Sequence, residues 1–141
     1  MLFQVPDKVP WSELASTLTS KWGRELNCKF PLSPRAIAYL GQKIFRGEQY
    51  NEDSMVTWGM FNRENMPKRP FTFWQWFDSV MALMKNKLCI YHWNDRAIVG
   101  FIHRRECEQI LGNQRNGTCL MRFSDSELVA LSVCAIWTHF M

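Results

Sequence analysis

The chain has 141 residues, of which 47% are hydrophobic and 21% charged, a balance that excludes an intrinsically disordered segment. Its net charge of +4 permits an anionic partner but lacks the dense basic stripe of a nucleic-acid binder. Five scattered cysteines, with no C-x-x-C pair, fit neither a zinc site nor a disulfide framework, so reduced thiols in a cytosolic or nuclear protein are expected.

The opening "MLFQVPDKVPW" has too short an apolar stretch for a signal peptide, and "LVALSVCAIW" is half the length needed to span a bilayer. The first hundred residues read as helices. In "PWSELASTLTSKW", Ser12 is placed to cap a helix whose Leu14, Leu18 and Trp22 share one face. Ser33 and Pro34 open the next helix, which carries Ile37, Leu40 and Ile44 and stops at Gly47. After the polar "GEQYNEDS", the stretch "PFTFWQWFDSVMALMKNKL" gives the clearest local signal. Thr72 and Gln75 have the capping-box spacing, Phe71 and Trp76 can staple the start, and Phe73, Trp76, Phe77, Val80 and Met84 line one face. Lys85 and Lys87 are expected in its last turn. Trp74 lies off the stripe, so burial on more than one side is expected.

Beyond residue 93 the pattern changes to a short extended piece (Ala97 to Phe101), a helix from about His103 to Leu111, a turn, and two strands in "CLMRFS" and "ALSVCAIW". No flexible linker separates the two parts, so they are expected to share an interface. His92, His103 and His139 lack the spacing of a metal site, and His92 beside Trp93 reads as a structural histidine. Met55, Met60, Met66, Met81, Met84 and Met121 read as gap-fillers, Cys89 and Cys107 as small buried hydrophobes, and Lys68 and Arg69 of "PKRP" as solvated surface.

The most informative stretch is "GTCLMRFSDSE". An apolar strand delivers Arg122 inward and is followed by Ser124, Asp125, Ser126 and Glu127. A buried, unpaired guanidinium is costly, so an anion should meet it. The residues alone leave two partners open: a structural pair with Asp125 or Glu127, or a ligand. "RFSDS" has no histidine base nearby in sequence, and the chain shows no nucleophile elbow or P-loop, so no enzyme is expected.

The order strand, helix, turn, strand ending in "GTCLMRFSDSE" resembles the phosphotyrosine-binding core of an SH2 domain, specifically that of the STAT family (signal transducers and activators of transcription). "VPDKVPW", "FNREN", "FTFWQWFD" and "HWNDRAIVGFI" resemble successive pieces of the STAT linker domain and the start of its SH2 domain, with wording nearest the five/six branch. The resemblance covers residues 5 to 133. It implies a mainly α-helical linker domain, residues 1–92, followed by a truncated α+β SH2-like domain, residues 93–141. It implies phosphotyrosine binding by Arg104, Arg122, Ser124, Asp125 and Ser126. A planar guanidinium grips two phosphate oxygens where a lysine cannot, and the serines and a helix start supply further donors.

The implied partners are phosphotyrosine peptides of receptors or of another STAT chain, in cytokine-driven JAK-STAT signalling. Homodimerisation, transcriptional activation and DNA binding through a domain outside this sequence follow, in cytoplasm and nucleus, with no cofactor, metal or membrane insertion. The match frays near the end, where Val129 and Ala130 stand in place of two glycines and Trp137 stands two residues past the tryptophan's expected position at Ala135. A fragment or truncated form is therefore expected, with an open apolar edge at "ALSVCAIW", self-association and weak or undetectable phosphopeptide binding. The competing reading is a helical adaptor, or an inactive product, without phosphotyrosine recognition.

Overall fold

The computed structural model describes residues 7–115, 117 and 119–128, together with the backbone of 131–135. The readings made on the first six residues, on Val129 and Ala130, and on Trp137, His139 and the rest of the C-terminal end lie outside the described residues.

A short strand β1 (Lys8–Pro10) pairs antiparallel with β2 (Met55–Thr57), Val9 opposite Val56. Pro10, held at φ −63°, passes the chain straight into α1 (Trp11–Leu26). The expectation that Ser12 caps this helix is corrected. The helix starts at Trp11, and its first N–H groups are met from outside: Trp11 donates to the Ser54 carbonyl at 2.8 Å and Ser12 to that of Glu52 at 3.0 Å. The loop before β2 does the capping, so nothing local in the sequence announces it. Leu18, Trp22 and Leu26 are buried along one face, with Leu14 half-buried beside them.

Helix α2 (Pro34–Ile44) opens as expected, with the Ser33 hydroxyl accepting from the Ala36 N–H at 3.1 Å. Leu40 and Ile44 are buried, and Tyr39 joins them. The turn after it closes where Gly47, at φ +80°, donates to the Gln42 carbonyl at 2.9 Å. A single-turn helix α3 (Trp58–Asn62) leads to α4 (Phe73–Met84).

The capping box of α4 is complete. The Thr72 hydroxyl accepts from Gln75 N–H at 3.1 Å, and the Gln75 side chain accepts from Thr72 N–H at 2.9 Å. The Thr72 hydroxyl also reaches Asn62 Oδ1 at 2.9 Å. Replacing Thr72 with Ala should cost about 1 kcal/mol of stability, read as a lowered midpoint in urea unfolding. Phe73, Trp76, Phe77, Val80 and Met84 are fully buried, while Trp74 is half-buried on another face against Phe61, ring centres 5.3 Å apart.

One reading at this helix's end is corrected. The helix stops at Met84, and α5 (Lys87–Asn94) begins at once, with the Asn86 side chain accepting from Leu88 N–H at 2.8 Å. Lys87 therefore stands in the first turn of a new helix, where a cation gains nothing from the dipole. Cys107 is buried as read, but Cys89 is only half-buried, because α5 keeps one side toward solvent.

The remainder is β3 (Ile98–Gly100), α6 (Arg104–Leu111), β4 (Cys119–Phe123) and β5 (Leu131–Ala135). Strand order is β3-β4-β5, so β4 is central, with β3 parallel and β5 antiparallel. Parallel neighbours need a crossover, and α6 supplies it.

Gly100 ends β3 at φ +81°, and a Cβ there would stand 2.9 Å from the Phe123 ring and 3.0 Å from that of Trp93. Only glycine fits both the backbone and the space. Past it, Phe101 packs on Phe123 at 4.9 Å, on Trp22 at 5.4 Å and on Trp76 at 5.9 Å between ring centres. One aromatic core thus runs from α1 and α4 of the helical part into β3 and β4. Among the described residues the chain is mainly helical with two small sheets, and its two parts share an interface as expected.

Candidate anion-binding site

Arg122 lies near the end of the central strand and is 7% exposed. Strand alternation explains the placement. Phe123 faces the aromatic core, so its neighbour Arg122 must face the other side of the sheet. Among the described residues its hydrogen bond is from Nε to the Ile102 carbonyl at 3.2 Å. Neither Asp125 nor Glu127 forms an ion pair with it, so the structural pairs considered from sequence are absent among the described residues.

The segment that follows is tied together and tied down. The Ser124 and Ser126 hydroxyls lie 3.0 Å apart, and Ser126 N–H donates to Ser124 Oγ at 3.3 Å. The Trp76 indole N–H donates to the Ser124 carbonyl at 2.8 Å, and Arg69 Nε donates to the Asp125 carbonyl at 2.7 Å. The Asp125 carboxylate bonds to Lys43 Nζ, and its other oxygen lies 3.7 Å from Arg69 Nη2. Burial would raise the pKa of Asp125, but Lys43, then Arg69 and Arg122, outweigh it and hold the carboxyl below its ordinary range. The reading of Arg69 as solvated surface is corrected: it is half-buried and engaged, while Lys68 beside it is exposed. A cavity of about 230 Å³ opens at this seam, walled by Gln42, Lys43, Arg46, Arg69, His103 and Asp125 among others.

Tyr39 of α2 sits under the Lys43 ammonium, 5.2 Å from ring centre, with Arg122 and Asp125 as its charged neighbours. Its hydroxyl is buried and makes no hydrogen bond of ordinary geometry among the described residues. Burial first, then Asp125, pushes the phenol's pKa far upward, so it stays a donor. Arg104 is different. Its side chain is 78% exposed and bonds along its own helix to Glu108 at 3.1 Å. The structure thus brings Arg122, Ser124, Asp125 and Ser126 together at one end of β4 and turns Arg104 toward solvent.

His103, at the N-cap of α6, packs against Tyr39 with ring centres 4.7 Å apart and the rings tilted by 50°, and shares a 2.6 Å hydrogen bond with Gln42. Burial, then the Lys43 charge, lowers its pKa from the ordinary 6.5. The fold therefore favours the neutral ring, and the unfolded chain binds the proton more readily. Stability from this group is fully present above the ordinary value and is lost as pH falls from there through the lowered folded value. Thermal melts between about pH 7.5 and 5 should show falling stability, with a shallower fall in His103→Gln.

Sequence reasoning missed Lys43, Tyr39 and the bond from Trp76. Lys43 had no local signal beyond being a polar position off the stripe of α2, and its partner stands 82 residues away. Arg69 had one signal, a cation between two prolines, but no carboxylate near it in sequence.

Comparison with known proteins meets this geometry from two directions. The family model for the signal transducer and activator of transcription, linker domain, matches residues 1–77, more than half of the chain. Human signal transducer and activator of transcription 6 is 38% identical over 138 residues, covering 95% of this chain and 16% of that protein. The chain thus spans about a sixth of the length of that relative. Among the described residues, no helix is long and apolar enough to cross a membrane. Both matches lead to one conclusion: this chain belongs to the signal transducer and activator of transcription family.

Proposed function

We propose that residues 1–92 are a STAT linker domain and residues 93–141 the phosphate-binding part of an SH2 domain, and that Arg122 receives phosphotyrosine. Ser124 and Ser126 supply hydroxyl and amide donors from the turn after β4. Arg104 comes to the phosphate by leaving Glu108, an exposed pair whose bond is weak enough to exchange. The ligand is a phosphotyrosine peptide of a receptor or of a second STAT chain. The whole protein's dimerisation, DNA binding and activation of transcription, in cytoplasm and nucleus, belong to the same reading.

One observation carries it. A guanidinium 7% exposed on the central strand makes no direct ion pair among the described residues, although the Asp125 carboxylate lies near enough to feel its charge, and the strand runs on into two serines held in one turn. Phosphate, with between about −1.5 and −2 charges and three acceptor oxygens, is the ligand class that answers such a site. The function is recognition, not catalysis. Phenyl phosphate needs the phosphate pocket and none of the peptide's further contacts, so its titration into the chain at high concentration, followed through the backbone amide signals of Ser124 and Ser126, should give weak but saturable shifts. Phenol, lacking the phosphate, should give none. Equal responses to both would remove the proposal.

A further inference from the structure

Three hydrogen bonds and one longer ion pair hold the turn after β4 to the helical part, and all end at Ser124 or Asp125. The Trp76 indole holds the Ser124 carbonyl, Arg69 Nε holds the Asp125 carbonyl, and Lys43 with Arg69 holds the Asp125 carboxylate. Two cations on one partly exposed carboxylate contribute little to stability in themselves. Their effect is geometric. With the Asp125 side chain drawn toward α2 and toward Arg69, the backbone on both sides of it is fixed, and the Ser124 and Ser126 hydroxyls are left 3.0 Å apart.

Asp125 is also poorly suited to touch a phosphate. An ionised carboxylate only accepts hydrogen bonds, as does the phosphate dianion, and the two repel. Lys43 and Arg69 keep Asp125 ionised.

We propose that Lys43 and Arg69, acting through Asp125, position Ser124 and Ser126 for the incoming phosphate, so that the helical part is a working component of the phosphotyrosine pocket. Asp125 is then a positioning residue and not a phosphate contact. This inference rests on the phosphotyrosine reading. It deepens that reading by placing determinants of affinity on α2 and in the loop before α4, where no residue has been given a role in phosphate recognition.

The charge arithmetic gives the test a sign. Removing a negative charge beside a dianion should tighten binding if Coulomb attraction alone matters. Positioning requires the reverse. With phenyl phosphate as the probe, and the amide signals of Ser124 and Ser126 as the readout, Asp125→Asn should weaken binding about tenfold. That is the low end of what removing a partner that orients a binding group costs. Lys43→Ala should weaken it comparably, and Lys43→Arg should restore most of the loss.

The deciding measurement is the double variant. If Lys43 acts through Asp125, Lys43→Ala should add little in the Asp125→Asn background. Fully additive losses would make Lys43 a direct phosphate contact and overturn the positioning role. Binding by Asp125→Asn that equals or exceeds that of the unchanged chain would overturn it too.

Hydrogen exchange of the Ser126 amide, measured without ligand, separates this failure from that of the underlying reading. Faster exchange in Asp125→Asn shows the clamp itself, and unchanged exchange overturns it. If the unchanged chain gives no response to phenyl phosphate, the phosphotyrosine reading fails and the role in recognition falls with it, whatever the exchange shows.

Discussion

Trp76→Ala should lose about 3 to 5 kcal/mol of stability, the largest effect expected from any single truncation in the core. The indole is fully buried between Phe73, Tyr39 and Phe101, with ring centres 6.0, 6.2 and 5.9 Å away. Its N–H also holds the Ser124 carbonyl at 2.8 Å, so truncation opens a cavity and removes the bond to the turn that carries the serines. Against a total of about 5 to 15 kcal/mol for a domain of this kind, that loss is a large share. Trp76→Phe keeps most of the ring and lacks the N–H, and should cost about 1 to 2 kcal/mol. Urea unfolding followed by circular dichroism measures both. An effect of Trp76→Ala below about 1 kcal/mol would contradict the burial described.

Arg122→Ala should abolish the response of Ser124 and Ser126 to phenyl phosphate. Charge-assisted hydrogen bonds contribute about 1.5 to 3 kcal/mol each, and a two-pronged grip supplies two. The loss therefore corresponds to roughly a hundredfold or more in affinity. Arg122→Lys should lose most of that, because an ammonium keeps the charge but not the planar fork. Neither change should unfold the chain. Among the described residues Arg122 bonds to one backbone carbonyl, and it lies on the face of the sheet away from the aromatic core. The check pairs the titration with a thermal melt. A folded Arg122→Ala chain that still titrates like the unchanged one would remove Arg122 from the site.

What was legible in the sequence was what is decided locally. The box at Thr72 and Gln75, the cap at Ser33, the face from Phe73 to Met84 and the strand that buries Arg122 all rest on spacings of a few residues. Periodicity and side-chain reach fix such features before tertiary structure intervenes. The failures share the opposite property. Trp11 could not be read as the start of α1, because its N–H is satisfied by Ser54, on a loop the chain reaches much later. The break between α4 and α5 was hidden because "KNK" suits a helix end and a helix start equally, and only the Asn86 side chain on Leu88 N–H decides.

The site divided along the same line. Arg122, Ser124 and Ser126 are consecutive enough to be seen as a motif. Lys43 and Arg69 reach Asp125 across 82 and 56 residues, and no pattern in a single sequence carries that pairing. Arg104 was placed by resemblance alone, and the structure turns it outward to Glu108.

The aromatic stack through Trp22, Phe101 and Phe123 has a consequence for how this chain can change over generations. Phe123 directly follows Arg122, and its ring lies 6.1 Å from that of Trp22, in a helix that supplies none of the described residues walling the cavity at Asp125. Interiors packed this closely pass displacement from one side chain to the next. A substitution in α1 that shifts Trp22 therefore shifts the strand that aims the guanidinium. On the phosphotyrosine reading, selection for recognition would then reach Trp22 as well as the serines. On that reading Trp22 would be under two constraints at once, one for folding and one for aim, and its drift would be limited by whichever is stricter.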